Sequence, residues 1–186
     1  MRIGLFGGSF DPIHIGHLLA ASEAAEALGL DRVLFVVAAR PPHKTPIAPP
    51  EARYEMVLLA TAEDERFSAS RLELARPGPS YTVDTLREAR ALFPEAELFF
   101  ITGADAYRDL PTWKEGERLA DYATLVAVAR PGYPLEALSA PVIPLWVPEV
   151  GISSTEIRRR IKEGRSVRYW VPRPVEVYLE RNGFYR

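Results

Sequence analysis

A chain of 186 residues with 47% hydrophobic and 26% charged side chains is long enough to bury one sizeable core and too apolar to stay disordered. Its net charge of −2 exerts no general pull on nucleic acid or an anionic membrane, so any positive field must be local to a site. The absence of cysteine excludes disulfides and thiolate metal sites, and no apolar run approaches the roughly 20 residues that cross a bilayer. The first residues enter a strand with no signal-peptide pattern, and a soluble cytoplasmic protein without nucleic-acid or membrane partners is expected. Proline is abundant at 17, Asn182 is the sole asparagine, and arginine far outnumbers lysine. Heat adaptation or genome base composition would each produce that bias.

Ile3, Leu5 and Phe6 make a short apolar run that predicts a buried strand, broken by Gly7-Gly8. From Ile15 the spacing of Leu18, Leu19, Ala21, Ala25 and Leu28 is helical until Gly29 stops it. Residues 32–38 form a continuous apolar run, as in a parallel strand covered on both faces, and complete a β-α-β unit. Pro41, Pro42 and Pro46 then force a loop at that strand's C-terminal end, the edge where open α/β sheets bind ligands. A helix is predicted over 50–62, a strand over 67–74, a loop at Arg76-Pro77-Gly78-Pro79, and a helix from the hydroxyl-rich run at Ser80 to about Phe93. Leu98 to Thr102 reads as another buried strand, ending at Gly103-Ala104-Asp105. Leu110 to Lys114 is a turn before a helix through Leu119, and strands follow over 124–129 and 142–147. Ser153 with Glu156 forms a capping box for a helix ended by Gly164, and the last helix spans 174–182. With no repeat or linker, residues 1–186 make one α/β domain, a doubly wound Rossmann-like parallel sheet with a C-terminal helical part from about residue 153.

A glycine pair between strand and helix lets backbone N–H groups approach a ligand, and the helix start beyond it favours a phosphate. His14 and His17 stand three apart, so on a helical turn both reach one phosphate; equally, one caps the helix and the other packs. Asp11 before Pro12 suits a water-mediated metal contact or local backbone bonding. Taken alone, Lys44 is also an ordinary surface charge, His43 a structural or exposed side chain, and Trp113 a core residue.

The string Gly7-Gly8-Ser9-Phe10-Asp11-Pro12 followed by His14-x-Gly16-His17 resembles the signature of the HxGH nucleotidyltransferase superfamily, which shares its core with class I aminoacyl-tRNA synthetases. Ile152-Ser153-Ser154-Thr155 with Arg158 is similar to that superfamily's second nucleotide motif. Gly103-Ala104-Asp105 and Leu110-Pro111-Thr112-Trp113 narrow the resemblance to bacterial nicotinate mononucleotide adenylyltransferases. The resemblance implies transfer of AMP from ATP to nicotinate mononucleotide, giving deamido-NAD and pyrophosphate. It implies that Gly7, Gly8, Ser9, Phe10, His14, His17, Ile152, Ser153, Ser154, Thr155 and Arg158 hold ATP. His14, His17, Lys44 and Arg158 would stabilise the charged transition state. On the acceptor, Lys44, Thr82, Gly103, Asp105, Trp113 and Lys114 are implied: Asp105 on a ribose hydroxyl, Trp113 against the pyridine ring, Thr82 and Lys114 near the carboxylate.

Mg²⁺ is expected to enter with ATP, and no protein residue is assigned as its ligand. Nicotinamide mononucleotide and phosphopantetheine are the alternative acceptors, and a homo-oligomer is left open. A non-catalytic nucleotide sensor would be expected to have lost His17 or Arg158, and a synthetase fragment needs a much longer chain. The stretch from Gly132 to Pro148 is shorter and richer in proline than the family pattern, which leaves the strand count and any oligomer contact there open.

Overall fold

Alternation along the central strands decides the architecture. In the computed structural model, which describes residues 1–129 and 141–186, β1 (Arg2–Gly8) sends Ile3 and Leu5 to one face and Phe6 to the other. Its neighbour β2 (Arg32–Val37) divides in the same way, Leu34 and Val36 against Val33, Phe35 and Val37. A strand buried on both faces needs apolar residues at every position, which is why both runs are unbroken. With β3 (Phe67–Ser70), β4 (Glu97–Gly103), β5 (Thr124–Ala129) and β6 (Ile143–Trp146) they form a six-stranded sheet in the order β3-β2-β1-β4-β5-β6, every pair parallel.

Helices cover both faces, as parallel connections require. On one face, α1 (Ile15–Leu28) contributes Ala20, Ala21 and Ala24, and α2 (Pro50–Thr61) contributes Met56 and Val57. Ile157 of α5 (Ser154–Lys162) and Val175 and Leu179 of α6 (Arg173–Asn182) join that same core. The opposite face is filled by Val83, Leu86 and Ala89 of α3 (Thr82–Leu92) and by Ala104 and Tyr107 of α4 (Ala104–Arg108).

Several elements differ from the sequence expectation. The strand β1 continues through Gly7 and Gly8, which pair with Val36 and Val37, so the glycines end it rather than interrupt it. The strand β3 stops at Ser70 instead of reaching residue 74, because the Ser70 hydroxyl accepts from Leu72 N at 3.3 Å and Ala75 N donates to Arg71 O, closing a turn. The expected helix through Leu119 is a pair of 3₁₀ turns, Leu110–Thr112 and Gly116–Asp121. They pack so closely that a Cβ on Gly116 would lie 2.3 Å from the Leu110 carbonyl oxygen. Only half of the expected capping box forms: Ser153 Oγ accepts from Glu156 N at 3.1 Å, while the Glu156 carboxylate turns to Arg159. The short helix α4 was not expected at all. Residues 130–140, the beginning of the proline-rich stretch and of any oligomer contact there, lie outside the described residues.

Candidate active site at the sheet edge

Strand order reverses between β1 and β4, and a crevice opens beyond the C-terminal ends of strands flanking such a point. Two clefts lie there. The first, of about 290 Å³, is walled by the chain leaving β1, by the start of α1, by the β4–α4 junction and by residues before α5. The second, of about 320 Å³, is walled by the loop after β2, the start of α3 and the segment around Trp113. Gly7, Gly8, Ser9, Lys44 and Thr102 line both. The clefts are thus neighbours that share part of their walls.

The histidines stand at the head of α1. His14 is its N-cap, with Nδ1 accepting from Gly16 N at 3.0 Å, and His17 Nδ1 accepts from His14 N at 3.1 Å. An Nδ1 that accepts a hydrogen bond carries no proton, so in its neutral form each ring bears its proton on Nε2. Capping and ligand contact are therefore not alternatives: Nδ1 holds the helix, and any donation to a ligand in the first cleft, which both side chains line, comes from Nε2. The rings stack with centroids 3.8 Å apart. A Cβ on Gly16 would lie 2.8 Å from His14 Cε1, too close for the folded-back ring to stay where it is.

Three buried residues tie the glycine motif to the Lys44 loop, and sequence reasoning passed over two of them, Arg53 and Tyr185. Asp11 bonds neither locally nor to a neighbouring turn: its carboxylate accepts from Ile47 N at 2.8 Å, Ala48 N at 3.1 Å and the Tyr185 hydroxyl at 2.6 Å. Arg53, only 1% exposed, donates to the carbonyls of Ser9, Ala38, Ala39 and Ala48, which ties the glycine motif to both ends of the Lys44 loop. Burial lowers the Arg53 pKa, against the pull of Asp11 and Tyr185, but a guanidinium keeps its charge. Its signal was legible: Arg53 shares the buried face of α2 with Met56 and Val57.

The second nucleotide motif leans on the first. Ser154 Oγ donates to Pro12 O at 2.9 Å, and Arg158 donates to Asp11 O at 2.8 Å and to Thr155 Oγ1 at 3.3 Å. Ile152 and Ser154 line the first cleft; Ser153, Thr155 and Arg158 line neither. Lys44 is exposed in the middle of its loop, and His43 beside it lines only the second cleft.

On the acceptor side, Thr82, Trp113 and Lys114 line the second cleft. Trp113 stacks on buried Tyr107, and Lys114 pairs with Asp84 at 3.1 Å. The N-cap of α3, Tyr81, makes no side-chain cap, so no capping side chain takes up the first-turn N–H groups beside the second cleft. Glu73 is buried in the same wall and accepts from the Thr85 hydroxyl at 2.8 Å; burial pushes its carboxyl up to about 7. Gly103 and Asp105, placed with the acceptor by resemblance, line the first cleft and not the second, because α4 begins at Ala104 and turns Asp105 away from Ala106 and Asp109, which line the second cleft.

A family model described as cytidylyltransferase-like matches residues 5–160. A Thermus thermophilus protein named "Probable nicotinate-nucleotide adenylyltransferase" is 82% identical over 186 residues, 100% of each chain. The chain belongs to the nicotinate-nucleotide adenylyltransferase family. A relative of the same name from Desulfitobacterium hafniense is 44% identical over 100% of this chain and 96% of its own. Two structures of Plasmodium falciparum nicotinic acid mononucleotide adenylyltransferase share the fold. The one complexed with NaAD has a TM-score of 0.83 at 19% identity, covering 99% of this chain and 97% of its own. The one complexed with APC has a TM-score of 0.80 at 18% identity, covering 99% and 96%.

Proposed function

We propose that this chain transfers the adenylyl group of ATP to nicotinate mononucleotide, forming deamido-NAD and pyrophosphate in NAD biosynthesis. The observation that carries the site assignment is the shared wall: Gly7, Gly8, Ser9 and Lys44 face both clefts, so phosphates entering from either side converge there. ATP occupies the first cleft, with its phosphates on the backbone beyond β1 and on the Nε2 atoms of His14 and His17. The mononucleotide occupies the second, its ring against Trp113 and its carboxylate at the start of α3 near Thr82 and Lys114. A phosphate oxygen of the mononucleotide attacks the α-phosphorus in line, the bond to pyrophosphate breaks, and no enzyme-bound covalent intermediate forms.

Lys44, reaching both sides, neutralises the two reacting phosphates. Ser153, Thr155 and Arg158 lie outside the cleft walls, so their part in holding the β and γ phosphates requires ATP to extend toward α5. The position of Asp105 in the first cleft supports contact with the adenosine ribose rather than the acceptor's. Among the described residues no three His, Asp or Glu side chains converge on one point, so Mg²⁺ would be held chiefly by the triphosphate, where it supplies charge neutralisation. The uncapped α3 start supports the acid over the amide, because helix N–H groups and dipole reward a full negative charge. Pyrophosphate release from ATP is the test, with nicotinate mononucleotide, nicotinamide mononucleotide and phosphopantetheine compared as acceptors. Preference for the nicotinate form is expected; preference for either of the others would overturn the acceptor assignment.

A further inference from the structure

We infer that Tyr185, beyond α6, is a positioning residue for adenylyl transfer: through Asp11 it sets the base of the Lys44 loop. Asp11 is only 3% exposed, and its carboxylate is fully engaged. Oδ2 accepts from Ile47 N at 2.8 Å, while Oδ1 takes both Ala48 N at 3.1 Å and the Tyr185 hydroxyl at 2.6 Å. The last of these has the length of a charge-assisted O–H···O⁻ bond, the strongest kind available to a tyrosine. Arg158 Nη1 lies 2.8 Å from the Asp11 carbonyl and 3.9 Å from Oδ2. One buried residue therefore joins the glycine motif, the loop and the segment of Arg158, its carboxylate holding the loop and its carbonyl the arginine.

The loop matters because Lys44 lies within it and reaches both clefts. Its near end is fixed by Arg53 at Ala38 and Ala39, and its far end by Arg53 at Ala48 and by Asp11 at Ile47 and Ala48. The Asp11 carboxylate makes two of the holds on the far end, and the Tyr185 hydroxyl bonds the same Oδ1 that accepts from Ala48 N, so it bears directly on the orientation of that carboxylate. Tyr185 itself adopts φ +68°, a left-handed backbone that non-glycine residues rarely take and that persists only where surrounding contacts over-determine it. Burial and the bonded carboxylate both raise the hydroxyl's pKa, so it stays a donor throughout the working range of the enzyme.

Replacing the tyrosine by phenylalanine keeps the ring in the core and removes only the hydroxyl. A misplacement of about 1 Å can cost on the order of 100-fold in rate, so partial release of the loop in Tyr185→Phe is expected to lower kcat about tenfold, with both KM values within about twofold. In a Lys44→Ala background the same change should cost less than about twofold, since there is no longer a lysine to position. Unchanged kcat in Tyr185→Phe, or an equal loss in both backgrounds, would overturn the inference. Amide hydrogen exchange supplies a readout independent of turnover: Ile47 and Ala48 should exchange faster in the variant while the amides of β4 do not. Uniform acceleration would instead show a general loss of stability and would also overturn it. The inference rests on the proposed adenylyl transfer. If the wild-type chain released no pyrophosphate, that reading would fail, while exchange at Ile47 and Ala48 would still decide whether Tyr185 holds the loop.

Discussion

At the scale of single residues, the nucleotide motif is compact because each side chain has a backbone task and a ligand-facing task at once. His17 accepts from His14 N and lines the first cleft, so His17→Ala should reduce kcat by about 10² to 10³-fold, as loss of one preorganised donor to a developing charge does, with the KM for ATP changing far less. Steady-state pyrophosphate release measures both constants. Glu73 makes a different prediction. Its carboxyl is raised to about 7 from an ordinary 4.5, so between those values the folded chain binds a proton that the unfolded chain has released. Stability contributed by this group is present below about pH 4.5 and is lost as pH rises to about 7, by roughly 3 kcal/mol. Glu73→Gln, which does not titrate, should therefore lose less stability than the wild type between mildly acidic and mildly alkaline buffer in denaturant melts. Identical losses would contradict the assignment. The spacing of His14, Gly16 and His17 made the head of α1 legible in the sequence, but Asp11, Arg53 and Tyr185 act on partners 5 to 174 positions away, and helical spacing that puts Arg53 on a buried face names none of those partners.

At the scale of elements, legibility followed burial. Strands covered on both faces announced themselves as apolar runs, and the expected 124–129 agrees with Thr124–Ala129. Where hydroxyls and turns compete with pairing, as after Ser70, alternation alone extended the strand too far. The start of α1 shows what a motif glycine does. Gly16→Ala would drive a Cβ to 2.8 Å from the His14 ring, so the cap should be lost at a cost of about 1 kcal/mol, together with the histidine geometry. Gly151, where an added Cβ would meet nothing within 4 Å, is the control, and Gly151→Ala should stay within about 0.5 kcal/mol of the wild type. Thermal melts of the two variants give the comparison; equal destabilisation would remove the steric account of the motif.

At the scale of the molecule, the sheet is built outward in both directions from β1. The chain runs from β1 through α1 and α2 to β2 and β3, then back through α3 to β4 on the other side of β1, with α1 and α2 on one face and α3 on the other, and a crevice opens at the point of reversal. The alternating apolar runs implied a doubly wound sheet, whereas the pairing of residues such as Ile3 with both Arg32 and Leu98 depends on contacts distant in sequence. The proposed reaction is a single direct displacement at the α-phosphorus, for which two clefts sharing Gly7, Gly8, Ser9 and Lys44 would bring both substrates together. The most direct measurement is therefore the stereochemical course of the reaction with ATP carrying a chiral α-thiophosphate and nicotinate mononucleotide as acceptor. Inversion at phosphorus is predicted, and retention, the mark of two successive displacements through an enzyme-bound intermediate, would contradict the account.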